Sequence, residues 1–160
     1  MAKFTVGRGL DEYLEDLQKL EVKTGKYLGQ ALYEGAKIVA DEIHKNIASL
    51  PVQDKPAGKG QRRDPTQAEV DGMLAGLGIA KKRVANGISN VKIGMDGYNS
   101  HVTEKYPKGH PNAMVARSIM TGTSFINRHP FIERAVNAVG GKAEDKMREI
   151  IENGINETMH

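Results

Sequence analysis

The chain contains no cysteine and no tryptophan. The first absence excludes a disulfide framework, a thiol nucleophile and a cysteine-based zinc site, and it fits a reducing compartment. With only three Phe and five Tyr, the core is left to Leu, Ile, Val, Ala and Met, and a monomer built this way is expected to gain stability from neighbours. Long apolar runs are missing too. None approaches the roughly 20 residues of a membrane span, and the N-terminal MAKFTVGRG lacks the apolar core of a secretory signal. The expectation is a protein with no membrane contact, made in a cytoplasm and kept there or in something assembled there. Charge is nearly balanced: 23 Lys and Arg against 20 Asp and Glu give a net +3. That permits contact with phosphate but falls short of the density expected on a dedicated nucleic-acid binder.

What is present fits one domain over residues 1–160, since a chain of this length buries a single core. Asp11–Leu20 predicts a short leading helix, with Leu10, Leu14, Leu17 and Leu20 on one stripe and acids in the first turn. After Thr24-Gly25, the positions Leu28, Leu32, Ala36, Val39, Ile43 and Ile47 recur at three- and four-residue steps and predict a long amphipathic helix. Ser49–Asp64 has no periodicity and reads as a mobile, exposed loop too long to be mere connection. Asp64-Pro65-Thr66-Gln67 then offers a helix start, with Asp64 as N-cap and Pro65 at the first helical position. Val70, Leu74 and Leu77 supply its apolar face, and Gly78 its stop.

Asn86-Gly87 and Asp96-Gly97 are turn signals, because type I′ turns need positive φ at both central residues. They divide Ile79–Thr103 into three predicted strands, the middle one alternating Val91, Ile93 and Met95 with Lys92 and Gly94. A second mobile irregular segment follows near 104–111, where Pro107 and Pro111 block regular structure. Asn112 is placed to cap a short helix through Met120, and Gly122 to end it. His129-Pro130-Phe131 turns the chain into a last long helix, whose stripe of Ile132, Val136, Val139, Ala143, Met147, Ile150 and Ile155 is interrupted by Gly140-Gly141, where a kink is expected. The resulting fold class is α+β: a small antiparallel sheet of three or more strands packed against two long amphipathic helices.

The residues that usually carry chemistry do not converge. The five histidines, at 44, 101, 110, 129 and 160, lack the spacing that puts two zinc ligands on one helical face. No nucleophile elbow or dinucleotide fingerprint is present. Gly58-Lys59-Gly60 has no preceding strand and following helix to aim successive amides at a phosphate. Paired carboxylates such as Glu15-Asp16, Asp41-Glu42 and Glu144-Asp145 diverge by ~100° on a helix, so they do not share a proton. We therefore expect no enzyme, no metal and no cofactor.

The stretch from Val115 to Asn137 joins a short helix, a Gly-centred turn, a Pro-fixed corner and a long helix, and it resembles the signature of the tail-component family of long-tailed bacteriophages, also described as neck or head-tail joining proteins. The residues that carry the resemblance are Gly122-Thr123 and Pro130-Phe131. Upstream, Leu28–Ile47 followed by Pro51 resembles the family's first long helix and loop-opening proline. Asp71-Gly72-Met73-Leu74 stands where the family has a Thr-Gly-x-Leu turn leading into its sheet. The chain departs from the family in placing Met120 and Thr121, without an acid, just before Gly122, and Asp71 in place of the usual Thr.

The resemblance implies a structural virion protein of the neck or tail-completion region, assembled in the bacterial host cytoplasm as a homo-oligomeric ring that joins the capsid connector to the tail tube. In such a ring two basic clusters acquire a role: Lys55, Lys59, Arg62 and Arg63 in the long loop, and Lys81, Lys82 and Arg83 at the start of the sheet. Lining a lumen, they would touch passing DNA weakly and without sequence preference. The bland reading of the same residues is solubility. The alternative function is a small cytoplasmic nucleic-acid-binding accessory module, in which these clusters hold a backbone.

Overall fold

The computed structural model describes the backbone of residues 8–159 and side chains from Val22 onward. Four helices and four short strands follow in the order α1 (Arg8–Ala48), α2 (Gln67–Gly76), β1 (Leu77–Ile79), β2 (Arg83–Ala85), β3 (Ile88–Asn90), β4 (Ile93–Met95), α3 (Asn112–Thr121) and α4 (Phe131–Met159).

The two longest helices organise the molecule. Tyr27 packs on Gly154 and its hydroxyl donates to Glu157 Oε2 (3.2 Å), Gly35 faces Met147, and Asn46 Nδ2 donates to the Phe131 carbonyl (3.0 Å). These three levels fix α1 and α4 as an antiparallel pair. The small residues on the α1 stripe allow this approach: Ala31 and Ala143 are buried, and Gly35 and Gly154 leave space that Met147 and the Tyr27 ring occupy. The expected separation of a leading helix from the long one does not occur, because α1 runs unbroken through Thr24-Gly25. Glycine costs about 1 kcal/mol of helix propensity relative to Ala, and here the Lys82 ammonium, which donates to the Gly25 carbonyl (3.2 Å), and the packing of α1 on α4 offset it. The stripe of Leu10, Leu14, Leu17 and Leu20 lies outside the residues whose side chains are described.

At the other end of this pair a compact head is built. Ile43, Ile47 and Leu50 at the end of α1 meet Val70 and Met73 of α2, Val115, Ala116 and Ile119 of α3, and Phe131 and Ala135 at the start of α4. Its α2 helix starts two residues later than the sequence suggests. Thr66 is the N-cap, its hydroxyl accepting from Glu69 N while Glu69 Oε2 accepts from Thr66 N. This is a capping box, and Asp64 is drawn instead to Asn127 and His129. Asp71-Gly72-Met73-Leu74 lies inside α2, so it forms no turn into a sheet. Gly72 and Gly76 instead let this helix approach Asn99, Asn112 and the Asp96 carbonyl closely.

The class is α+β with antiparallel strand pairing, but among the described residues a single sheet of three or more strands is not formed. There are two two-stranded ladders, β1 with β4 and β2 with β3. They lie on the same two chain segments with registers one residue apart: Ile79 opposite Ile93, then Arg83 opposite Asn90. Ala80 still donates to the Lys92 carbonyl (2.8 Å), so Lys81 and Lys82 together stand opposite the single Val91. That is the count of a β-bulge, which bends a ribbon and re-aims its side chains. Asn86-Gly87 closes the tip with both φ positive, 52° and 74°, as a type I′ turn requires. Val91, Ile93 and Met95 are half-buried and Lys92 and Gly94 exposed, the expected alternation.

The third strand shrinks to one isolated bridge, Tyr98 opposite Pro111. Asn99 is the reason. Its buried side-chain oxygen accepts from the amides of both His101 and His110 (each 3.0 Å), closing the excursion between them as a loop. Asn112 likewise gives up capping. Pro111 occupies the N-cap of α3 without a side-chain hydrogen bond, while Asn112 Nδ2 donates to the Asp96 carbonyl (2.9 Å). Gly122 ends α3 with φ 74°, as expected, and α4 runs through Gly140-Gly141 as one helix.

Candidate functional site

The Gly122–Phe131 segment forms a cross-linked corner. Thr123 Oγ1 accepts from the amides of Phe125 (3.2 Å) and Ile126 (3.0 Å), and Thr123 N donates to the Ile126 carbonyl (3.0 Å), which folds the turn on itself. The next residues then pair with the long loop: Arg63 N donates to the Phe125 carbonyl and Asn127 N to the Arg63 carbonyl. Pro130 fixes the exit, and Phe131 is inserted into the core at 1 % exposure. Gly122, Thr123, Pro130 and Phe131 therefore serve here as the joint between α3, α4 and the loop that follows α1.

Two polar pairs lock that joint. Arg63 holds Glu69 with two parallel bonds of 2.8 Å each. Burial alone would raise the Glu69 pKa, but the Arg63 hydrogen bond and charge, with the Thr66 amide, hold it below the usual value. Arg63 is raised in turn, first by its bond to Glu69. Asp64 accepts from Asn127 Nδ2 (2.9 Å) and lies 2.9 Å from His129 Nε2, and it is lowered chiefly by the His129 hydrogen bond.

The basic residues named from the sequence are thereby sorted. Arg63 is a structural ion-pair partner. Lys55, Lys59 and Arg62 are exposed on the irregular 49–64 stretch, which is pinned at its ends where Gln53 N donates to the Pro65 carbonyl and Gln67 N to Asp54 Oδ1. Lys81, Lys82 and Arg83 are exposed at the bulge and β2, with Lys82 reaching the Gly25 carbonyl. The two clusters do not come together. One follows the C-terminal end of α1 at Ala48 and the other lies beside Gly25, about 35 Å apart at 1.5 Å per helical residue.

Two concave features escaped the sequence. A cleft of about 790 Å³, lined by polar and apolar side chains together, opens between the long loop and the loop closed by Asn99. Its wall includes His101, Tyr106 and His110, with the His110 ring 5.1 Å from that of His101 and 4.7 Å from that of Tyr106. Their nearness follows from Asn99 binding both flanking amides, which no spacing rule announces. The second feature is apolar. A cavity of about 410 Å³ lies between β4, α3 and α4, and another of about 360 Å³ continues along α1, β4 and α4. Alternation at 91–95 hinted at the strand, but its neighbours are remote in sequence.

Among the described residues, no cluster of three or more His, Asp or Glu is placed to hold a metal, and no helix is long and apolar enough to cross a membrane. His44 is exposed on α1, and His129 belongs to the corner. No family model, curated protein or solved structure matches the chain.

Proposed function

We propose that this protein is a structural virion component of the phage neck or tail-completion region, a homo-oligomeric ring between the capsid connector and the tail tube. The observation that carries the reading is the Gly122-Thr123 to Pro130-Phe131 segment: the residues that resemble the phage family are the ones that tie α3, α4 and the long loop together. The α1–α4 pair then gives each copy a stiff rod with a head at one end. Surfaces do the work of such a protein, and its open β-ribbon and apolar cavities supply them.

DNA contact is secondary. Two separate clusters of three exposed cations each suit weak, sliding phosphate contact in a lumen better than a tight binding site. This separation favours the ring over the alternative of a compact nucleic-acid-binding module. The test is light scattering over a concentration series, with the protein alone and with purified connector or tail tube. A discrete ring, or capture onto either partner, is expected. A monomer that ignores both partners yet binds DNA with a steep salt slope would overturn the reading.

A further inference from the structure

The chain contains two Asn-Gly dipeptides, Asn86-Gly87 and Asn153-Gly154. Both have the same chemistry available, because a glycine, lacking Cβ, leaves its amide nitrogen open to the side chain of the residue before it. Their surroundings are opposite. Asn86-Gly87 closes the tip between β2 and β3, where every residue from Ala80 to Ile88 is exposed. Asn86, at φ 52°, is the one non-glycine residue with positive φ among the described residues, a conformation that costs any residue with a Cβ. No hydrogen bond engages the Gly87 amide among the described residues, and the ladder behind it joins strands of three residues each. Such a tip belongs to the low end of local opening free energies. Asn153-Gly154 lies inside α4, where the Gly154 amide is committed to the helix ladder and Gly154 itself is buried against the Tyr27 ring.

We propose that Asn86 is a site of spontaneous covalent modification, converting to aspartate and isoaspartate in the folded protein while Asn153 stays intact. The Gly87 amide nitrogen, on losing its proton, attacks Cγ of Asn86. The bond from Cγ to Nδ2 breaks, and Nδ2 takes up the proton and leaves as ammonia. Water then opens the cyclic imide. Attack at Cγ restores the main chain and leaves an aspartate, whereas attack at the backbone carbonyl carbon routes the main chain through the side chain. One water enters and one ammonia leaves in either case. Because the attacking nitrogen must be deprotonated, conversion quickens as pH rises. Each product adds a carboxylate beside Lys81, Lys82 and Arg83 in the chain and lowers the net charge of +3 by one. Isoaspartate also lengthens the loop by one main-chain carbon, and a type I′ hairpin holds its register only with its two-residue loop. Conversion therefore loosens the β2–β3 ladder and weakens the positive charge of this cluster together. The site is independent of the ring reading.

The test incubates the full-length folded chain in neutral and in mildly alkaline buffer and follows the tryptic peptides 84–92 and 149–160 by mass spectrometry. Expected is loss of the amide from peptide 84–92, as two separable isomers and faster in the alkaline buffer, with fragmentation placing the new acid at Asn86 and not at Asn90. Peptide 149–160 keeps its amides. Conversion of both dipeptides at one pace in the folded chain, conversion of neither, or a rate indifferent to pH would overturn the inference. In urea the two dipeptides are expected to convert alike, and a difference that persists there would overturn it too, by assigning the contrast to neighbouring sequence and not to the fold. Hydrogen exchange supplies a second arm: the amides of β2 and β3 exchange faster in the isoaspartate isomer than in the unaltered chain, and equal exchange overturns the loosening of the ladder.

Discussion

At the residue scale, the corner after α3 concentrates the stability of the head. Phe131 is almost fully buried beside Ile119 and Ala135, and Pro130 prevents the chain from drifting into the space a smaller side chain would leave. Phe131→Ala is expected to cost about 3 to 5 kcal/mol, read as a fall in the denaturant midpoint at constant slope, and an unchanged midpoint would remove the ring from the core. The charged pair makes a pH prediction. Glu69 has its folded pKa depressed, so its contribution is complete above the unfolded value near 4.5 and is lost as pH falls through the folded one. Asp64 acts in the same sense. Stability should therefore decline on acidification below about pH 5, and Glu69→Gln should flatten that decline while lowering stability at neutral pH. An equally steep acid limb in the variant would locate the titration elsewhere.

At the scale of elements, two glycines of one helix should behave oppositely. A Cβ at Gly141 meets nothing within 4 Å, whereas one at Gly154 would strike the Tyr27 ring. Gly141→Ala should raise stability by up to about 1 kcal/mol through helix propensity, and Gly154→Ala should lower it by prising α4 from α1. Thermal melts of the two variants decide, and matching shifts would mean the helices do not pack there. These glycines also mark how far the sequence could be read. The long stripes of α1 and α4, the Asn86-Gly87 turn and the Gly122 stop follow from local periodicity and φ requirements, so they were legible. The continuity of α1 through Gly25 was not, because its support comes from Lys82, 57 residues away. Thr66 and Glu69 displayed a capping box in plain sequence, and Asp64 was the more conspicuous candidate only because its partners Asn127 and His129 lie over 60 positions downstream. The outer strand failed for a similar reason: Asn99 satisfies two amides that a ladder would have used.

At the scale of the whole molecule, the long loop divides into ends pinned to the head and a middle that is not. Between Lys55 and Arg62, the described hydrogen bonds are local, Gln61 N to the Gly58 carbonyl and Gln53 Nε2 to the Lys55 carbonyl, whereas Gln53, Asp54, Arg63 and Asp64 on either side tie into α2 and the corner. The basic composition of this loop was legible, and its division into pinned ends and a free middle was not, because the pins come from Pro65, Gln67 and Phe125. Replacing Pro56–Gly60 with two glycines should therefore change unfolding free energy by no more than about 0.5 kcal/mol, since closing a somewhat shorter loop alters chain entropy only slightly. The same variant should lose capture by connector or tail tube if Lys55, Lys59 and Arg62 face a partner or a lumen. The two readouts separate the cases: a folded variant that still joins its partner assigns Lys59, the cation it removes, to solubility, and a variant that does not fold makes the loop a structural brace between the end of α1 and the corner.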